Sequence, residues 1–280
     1  PFILVGIPDL ELSPTLLGFL FFSSYLITLL GNGLVLLLIL LDKSLRTPTH
    51  CFLAMLAFID VLMVTSVVPK MLSTLWLKAG EIGQVSCFFQ MFLVHSTTSA
   101  ESGVLLAMAI DRYVAICHPL RYQTILSHQT ISHMALAITL RALLFILPLT
   151  GLVSHLSYCH SHLLPHSYCE HMALAKLACG DTKPSQTYSL LGSSFIVAMD
   201  LTFIMASYGM ILKAVLGKEK TCQKALRTCG CHLSLLLLYY VPGMVSIYAQ
   251  RVGSGVRPRE QVLLADIYLT LPTMLNPIIY

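Results

Sequence analysis

The sequence predicts an all-α membrane protein: one domain over 1–280, built as a bundle of seven membrane-spanning helices. Three observations predict it. Of the 280 residues, 56% are hydrophobic and 11% charged, where soluble domains carry about 25% charge; mean hydropathy is +0.79. The apolar residues fall in runs long enough to cross hydrocarbon, which takes about 20 residues of helix. Lys and Arg are distributed unevenly between alternate connections. The net charge of +4 is small and its bases are scattered. The expected surroundings are therefore a lipid bilayer, and nucleic acid is not an expected partner.

The first span is expected at about 15–41 and holds Gly31 and Asn32. A short charged loop from Asp42 to Pro48 leads to the second, at about 49–76, which carries Asp60 and Pro69. The third runs from about Cys87 to Cys117, and the fourth from about 131 to 155 with Pro148 inside it. A polar stretch rich in Cys and His follows at about 156–184 and reads as a long loop. The fifth, sixth and seventh spans are expected at about 187–216, 225–250 and 260–280. No internal repeat is visible. The chain opens at Pro1 with no visible signal peptide and stops at Tyr280 just after an apolar run, so both ends read as trimmed.

Basic residues in short loops mark the cytoplasmic side. The loops after spans one, three and five hold Lys43, Arg46, Arg121, Lys213, Lys218, Lys220, Lys224 and Arg227; the opposite set holds fewer, among them Lys78, Lys176, Lys183, Arg257 and Arg259. This places Asp111-Arg112-Tyr113 in the cytoplasm and the long loop outside. Cys159, Cys169 and Cys179 lie in that loop, and Cys87 starts the third span on the same side. Four cysteines in an oxidising compartment suggest two disulfides, with three pairings open. The loop histidines fit no tight metal-ligand spacing, so no metal site is expected.

The third span closes on Met108-Ala109-Ile110-Asp111-Arg112-Tyr113-Val114-Ala115-Ile116-Cys117-His118-Pro119-Leu120-Arg121-Tyr122. Charges at a membrane are costly, so they pair, sit at the interface or carry function; a snorkelling Arg at a helix end is the plain alternative. This string resembles the end of the third helix in rhodopsin-like G-protein-coupled receptors, and in particular the olfactory receptor branch. Lys224-Ala225-Leu226-Arg227-Thr228-Cys229-Gly230-Cys231-His232 resembles that branch's sixth-helix signature. Asn276-Pro277-Ile278-Ile279-Tyr280 resembles the Asn-Pro-x-x-Tyr string of the seventh helix. The opening Gly6-Ile7-Pro8-Asp9-Leu10-Glu11 and Leu177-Ala178-Cys179-Gly180-Asp181 resemble the class I, fish-like receptors.

The resemblance implies several roles. Asp111, Arg112 and Tyr113 would form the G-protein-coupling end, with Arg112 held by Asp111 at rest. Tyr208, Tyr240, Asn276, Pro277 and Tyr280 would form the activation switch. The disulfides would pair Cys87 with Cys169 and Cys159 with Cys179, holding the loop as a lid. Asp60, Glu101 and Asn276 would line a hydrated pocket of the kind a sodium ion occupies in the family; the alternative is a hydrogen-bond network that only glues helices together. No other cofactor is implied.

The ligand pocket is expected at the outer ends of spans three, five and six. His95 lies two turns below Cys87, and Arg251 ends the sixth span. A guanidinium can donate two parallel hydrogen bonds to a carboxylate. Met91, Ser99, Met199, Ile247, Tyr248 and Tyr268, with Phe195, would supply the remaining wall. Arg251 pairing with Asp266 is the structural alternative. In some acid-sensing relatives a hydroxyl stands where Ile247 does.

The expectation is an odorant receptor of the plasma membrane, not an enzyme. It would bind a small volatile such as a carboxylic acid and activate a heterotrimeric G protein of the stimulatory, olfactory type to raise cyclic AMP. The alternatives are a rhodopsin-like receptor for a lipid or peptide, and a transporter or channel. The last would show inverted repeats or paired broken helices, and the sequence has neither. No Ser or Cys nucleophile stands at a recognisable spacing from the span histidines.

Overall fold

Hydrocarbon offers no partner to a backbone amide, so an apolar run that crosses it closes its hydrogen bonds within a helix. In a computed structural model, the described residues form seven long helices of 22 to 34 residues. The structure describes residues 1–8, 13–159, 162–216, 219–252 and 257–279; within the last helix but one, the side chains of 219–228, 249, 250 and 252 lie outside that description. The long helices are α1 (Pro14–Leu41), α2 (Pro48–Leu77), α3 (Gln84–Cys117), α5 (His128–Ser154), α7 (Lys183–Val215), α8 (Glu219–Val252) and α9 (Pro258–Ile279); the short α4 (Tyr122–Ile125) and α6 (His171–Leu177) lie in connections. Six are individually long and apolar enough to span, and α3 with its bent continuation Pro119–Ile125 makes the seventh.

Local sequence explains the ends. Pro14 and Pro48 open their helices, where the missing N–H costs nothing. Ser127 caps α5 by accepting from Thr130 N at 3.2 Å. Asp42 accepts from Ser44 N at 2.8 Å, and this contact with Ser44 holds its carboxyl below the ordinary value. α2 stops at Lys78, in the left-handed region at φ 53°. Pro69, Pro148, Pro242, Pro272 and Pro277 lie inside helices, tolerated because neighbouring helices supply substitute contacts.

The helices close a ring in which α1 packs on α2 and α9, and α8 on α9; α3 runs through the middle, touching α2, α5, α7 and α8. Large apolar side chains such as Phe19, Leu30, Leu40, Leu144, Phe203 and Leu237 stand exposed on the outside, the arrangement that lipid rewards. The helix ends lie within six residues of the expected ones, the largest shift being the polar start of α8.

The described residues of 156–184 include regular structure that their composition does not suggest. β1 (Phe2–Leu4) sits between β2 (Glu81–Ile82) and β3 (Leu163–Leu164) in a three-stranded sheet, antiparallel to the first and parallel to the second. Strands of two or three residues carry no readable period, so sequence analysis had no signal for them. Phe2, Leu4, Cys87, Met91, Leu164, Cys169 and Leu174 form the buried cluster beneath. Cys87 is bonded to Cys169 and Cys159 to Cys179, with Cα–Cα distances of 5.4 and 6.1 Å.

Leu4 N donates to Gly80 O at 2.9 Å, and a β-carbon on Gly80 would collide with the Leu4 carbonyl. Gly80→Ala is expected to part β1 from this loop and to cost about 1–3 kcal/mol, the range for overpacking. A lowered thermal midpoint of the purified receptor would show it; an unchanged midpoint would reject the close approach.

Candidate functional site

A cavity of about 140 Å³ opens between α3, α5, α7, α8 and α9 beneath the disulfide-bonded loop. His95, Thr98, Ser99 and Ser102 line it from α3, all within two turns of one another. Phe145, Ile146 and Leu149 come from α5, and Ser189, Ser193, Ile196 and Val197 from α7. Tyr239, Tyr240, Gly243, Met244, Ile247 and Arg251 come from α8, Tyr268 and Leu269 from α9, and Tyr168, Glu170 and His171 from the loop.

Among the expected pocket residues, His95, Ser99, Ile247, Arg251 and Tyr268 meet in this cavity. Four others lie elsewhere. Met91 is fully buried against the β1 cluster. Phe195 is 70% exposed, and Met199 lines a separate groove with Arg141 and Met134. Tyr248 is exposed, its hydroxyl paired with Ser194 Oγ at 2.9 Å. Helical phase is the reason. Each residue turns the helix by about 100°, so Phe195 and Met199 share one outer face while Ser189, Ser193, Ile196 and Val197 turn inward.

Arg251 donates from Nη1 to Ile247 O at 2.7 Å and from Nη2 to Ser189 Oγ at 2.8 Å. It has no carboxylate within salt-bridge distance among the described residues, and its Nε is buried without a partner there. Asp266 instead accepts from Ser167 Oγ at 2.7 Å, so the alternative pairing of Arg251 with Asp266 does not occur. Ile247 meets Arg251 through its backbone carbonyl, its side chain being apolar.

The loop is fastened over the cavity at several points. Besides the Cys87–Cys169 bond, Cys169 N donates to Gln90 Oε1 at 3.0 Å, Gln90 Nε2 donates to Ser66 O at 2.7 Å, and Ser167 is held by Asp266. Glu170 caps α6, accepting from Ala173 N at 2.8 Å. Burial pushes the Glu170 carboxyl up, against the backbone amides of Met172 and Ala173 and the charges of Arg251 and Lys176. Burial, then Lys176, pushes His166 down to about 3; burial, then His95 and Arg251, pushes His171 down to about 3.

Deeper in the bundle, Asn276 Nδ2 donates to Asp60 Oδ2 at 2.8 Å, and Asn32 Nδ2 to Thr273 O at 3.0 Å. Glu101 interacts with both Asp60 and Asn276. Asp60 Oδ1 is buried without a hydrogen-bond partner among the described residues. Two carboxylates with a spare oxygen, beside an amide, are a donor set that fits a small hard cation.

One charged pair was not anticipated from the sequence. Arg141 on α5 meets Asp200 on α7 at 2.7 Å, with side-chain exposures of 20% and 0%. Its Nη2 also donates to Ser99 O at 2.6 Å and to Ser102 Oγ at 2.8 Å. The signal was available, because a charge inside an apolar run needs a partner whichever span it lies on.

At the far end of the bundle Asp111 is buried. It lies 3.1 Å from Arg112 Nη2 and accepts from Thr49 Oγ1 at 2.9 Å and Tyr122 OH at 2.6 Å. Burial, then the bond to Asp111, pushes the Tyr122 phenol up to about 12, so it stays a donor. Tyr113 OH meets His118 Nε2 at 3.2 Å, and Tyr208 OH meets His232 Nδ1 at 2.5 Å. Tyr240 is buried at the cavity floor and Pro277 packs on Gly31. Tyr280 lies outside the described residues, as do Asp9, Leu10, Glu11 and His160.

Two predictions follow from these contacts. Removing one partner of a buried ion pair costs about 3–5 kcal/mol, while replacing both with apolar residues is near neutral. Asp200→Ala should therefore abolish folding or surface delivery that Arg141→Met with Asp200→Leu restores; equal loss in both would reject a mainly structural pair. The second concerns pH. His166 and His171 bind protons less readily in the folded loop than at the ordinary value of 6.5. Stability then rises with pH across that window: the loop is fully packed above 6.5 and loosens as pH falls toward 3. Hydrogen exchange over 163–177, corrected for its intrinsic pH dependence, should rise accordingly, with a smaller rise in His166→Gln. A flat profile would contradict this.

Comparison with known proteins gives the family. The family model for olfactory receptors matches residues 21–280. Human olfactory receptor 52I2 is 52% identical over 282 aligned positions, covering 100% of this chain and 81% of the relative. Human olfactory receptors 52I1 and 52P1 are 49% and 42% identical, again over 100% of this chain and over 87% and 88% of theirs. That family consists of multi-pass membrane receptors and not of enzymes, and its class I branch agrees with these relatives. The chain belongs to the olfactory receptor family.

Proposed function

We propose that the protein is an odorant receptor of the plasma membrane that binds a small carboxylic acid and activates a stimulatory G protein, raising cyclic AMP. The observation that carries the reading is Arg251. Its guanidinium lines a mainly apolar cavity, is oriented by Ile247 O and Ser189, and has no carboxylate in salt-bridge distance among the described residues. A half-buried guanidinium in such a cavity gains most from an anionic ligand with two acceptor oxygens. His95 and His171 next to it add further polar contacts, while Ile247, Met244 and Leu149 suit an aliphatic chain.

In this reading the loop lies outside the cell and the Asp111 end in the cytoplasm, as the distribution of Lys and Arg favours. Ligand binds one arrangement of the helices better and shifts the population toward it. Arg112, held by Asp111 and Thr49, is released to meet the G protein, with Tyr208, Tyr240 and Asn276 rearranging between the two ends. Asp60, Glu101 and Asn276 would hold a sodium ion in the resting form, where a cation neutralises paired carboxylates.

Cyclic AMP in cells expressing the full-length receptor tests this. Straight-chain acids are expected to be active and the matching alcohols weak. Arg251→Ala, at matched surface level, should lower acid potency by about a hundredfold, the scale of losing a buried hydrogen-bonded charge contact. Alcohols as potent as acids, or an unaffected variant, would remove Arg251 as the anchor.

A further inference from the structure

The cavity has a second unsatisfied polar end. On α3, Thr97 and Thr98 donate to backbone carbonyls of the preceding turn, and Ser102 to Ser99 O. This is the usual way a helix satisfies a buried hydroxyl. Ser99 does not. Its Oγ is buried with no hydrogen-bond partner among the described residues, although its carbonyl is taken by Arg141. The Tyr240 hydroxyl, from α8, is likewise buried and without a partner there. Arg141, which bonds the Ser99 carbonyl, also lies close enough to Tyr240 to act on it electrostatically. Both residues line the cavity, which also contains Arg251. Each hydroxyl can donate one hydrogen bond and accept others, and each left unmade inside the protein costs about 1–3 kcal/mol.

The two polar ends are separated along the helices. Arg251 and His95 line the same cavity, His95 being the first of its polar α3 residues. From there to Ser99 is one turn, about 6 Å, and from Arg251 to Tyr240 along α8 is three turns, about 16 Å. Arg251 folds back toward Ile247, which places its guanidinium below its own backbone. The cavity wall also includes the apolar Ile146, Leu149, Met244 and Ile247.

We infer that the preferred ligand is bifunctional: an aliphatic carboxylic acid that carries a hydroxyl at the far end of its chain, received by Ser99 and Tyr240. The inference rests on Arg251 as the carboxylate anchor and adds a distal subsite that selects both the second polar group and the chain length that places it. A chain too short leaves the distal hydroxyl among apolar side chains, and one too long cannot be housed.

The test compares, in the full-length receptor, ω-hydroxy acids of increasing length with unsubstituted acids of the same length. Cyclic AMP is read in wild type, Ser99→Ala, Ser99→Thr and Arg251→Ala. The readout is the potency ratio of each hydroxy acid to its plain partner within one variant, so any general loss of function cancels. At the spanning length the ratio should be about tenfold in wild type, the worth of one buried hydrogen bond. It should fall to near one in Ser99→Ala and be retained in Ser99→Thr. Arg251→Ala should weaken both ligands together. A ratio near one at every length in wild type, or a ratio that survives Ser99→Ala, overturns the distal subsite while acid responses that depend on Arg251 leave the anchor standing. Acid responses indifferent to Arg251→Ala, or no response to any acid, overturn both.

Discussion

Hydrocarbon accepts and donates no hydrogen bonds, so every polar group carried into it must find its partner inside the protein. That constraint organises the bundle. It turns Asp60 toward Asn276, Asn32 toward Thr273 and Arg141 toward Asp200. Each contact joins helices far apart in the chain, and together they determine which faces of α1, α2, α5, α7 and α9 point inward. The outer faces are left to Leu, Phe and Ile, which gain nothing from one another in lipid. Helix association here is therefore a matter of polar contacts and close packing more than of the hydrophobic effect.

The loop between α5 and α7 meets a different solvent and is held differently. Two disulfides, a three-stranded sheet made with the N-terminal strand, and the bonds to Gln90 and Asp266 make it a fixed roof. With Ser167 held by Asp266, that carboxylate is engaged away from Arg251. The guanidinium is held at the cavity by hydrogen bonds to Ile247 O and Ser189. A fixed roof also keeps His166, Glu170 and His171 out of water, which is why their protonation is displaced.

The polar core reaches from the cavity toward the other end. Arg141 ties the cavity wall at Ser99 and Ser102 to Asp200 on α7. Asp60, Glu101 and Asn276 lie below, and Asp111, Arg112, Thr49 and Tyr122 close the far end. Spatial continuity of this kind does not by itself demonstrate coupling. It does mean that a shift of α7 against α3 must disturb the Arg141 contacts that join Asp200 to Ser99 and Ser102, which favours discrete arrangements over gradual deformation.

Much of this protein was determined by local sequence. Composition and run length settled the membrane class and the seven helices, since lipid requires long uninterrupted apolar stretches. The Asp111-Arg112-Tyr113 string and the Asn276-Pro277 string identified the family, and the cysteines with it, because those residues are adjacent in the chain. His95 and Arg251 were legible as pocket residues from their depth on helices whose ends were clear. What only the tertiary structure decided depends on rotation and on distant partners. A helix turns by about 100° per residue, so Met199 and Phe195, at suitable depth, face away from the cavity while Ser189 and Val197 face into it. Arg141 with Asp200, Tyr208 with His232 and Ser167 with Asp266 pair across 59, 24 and 99 residues. No local pattern specifies such a pairing, because the contact exists only once the helices have chosen which faces to bury.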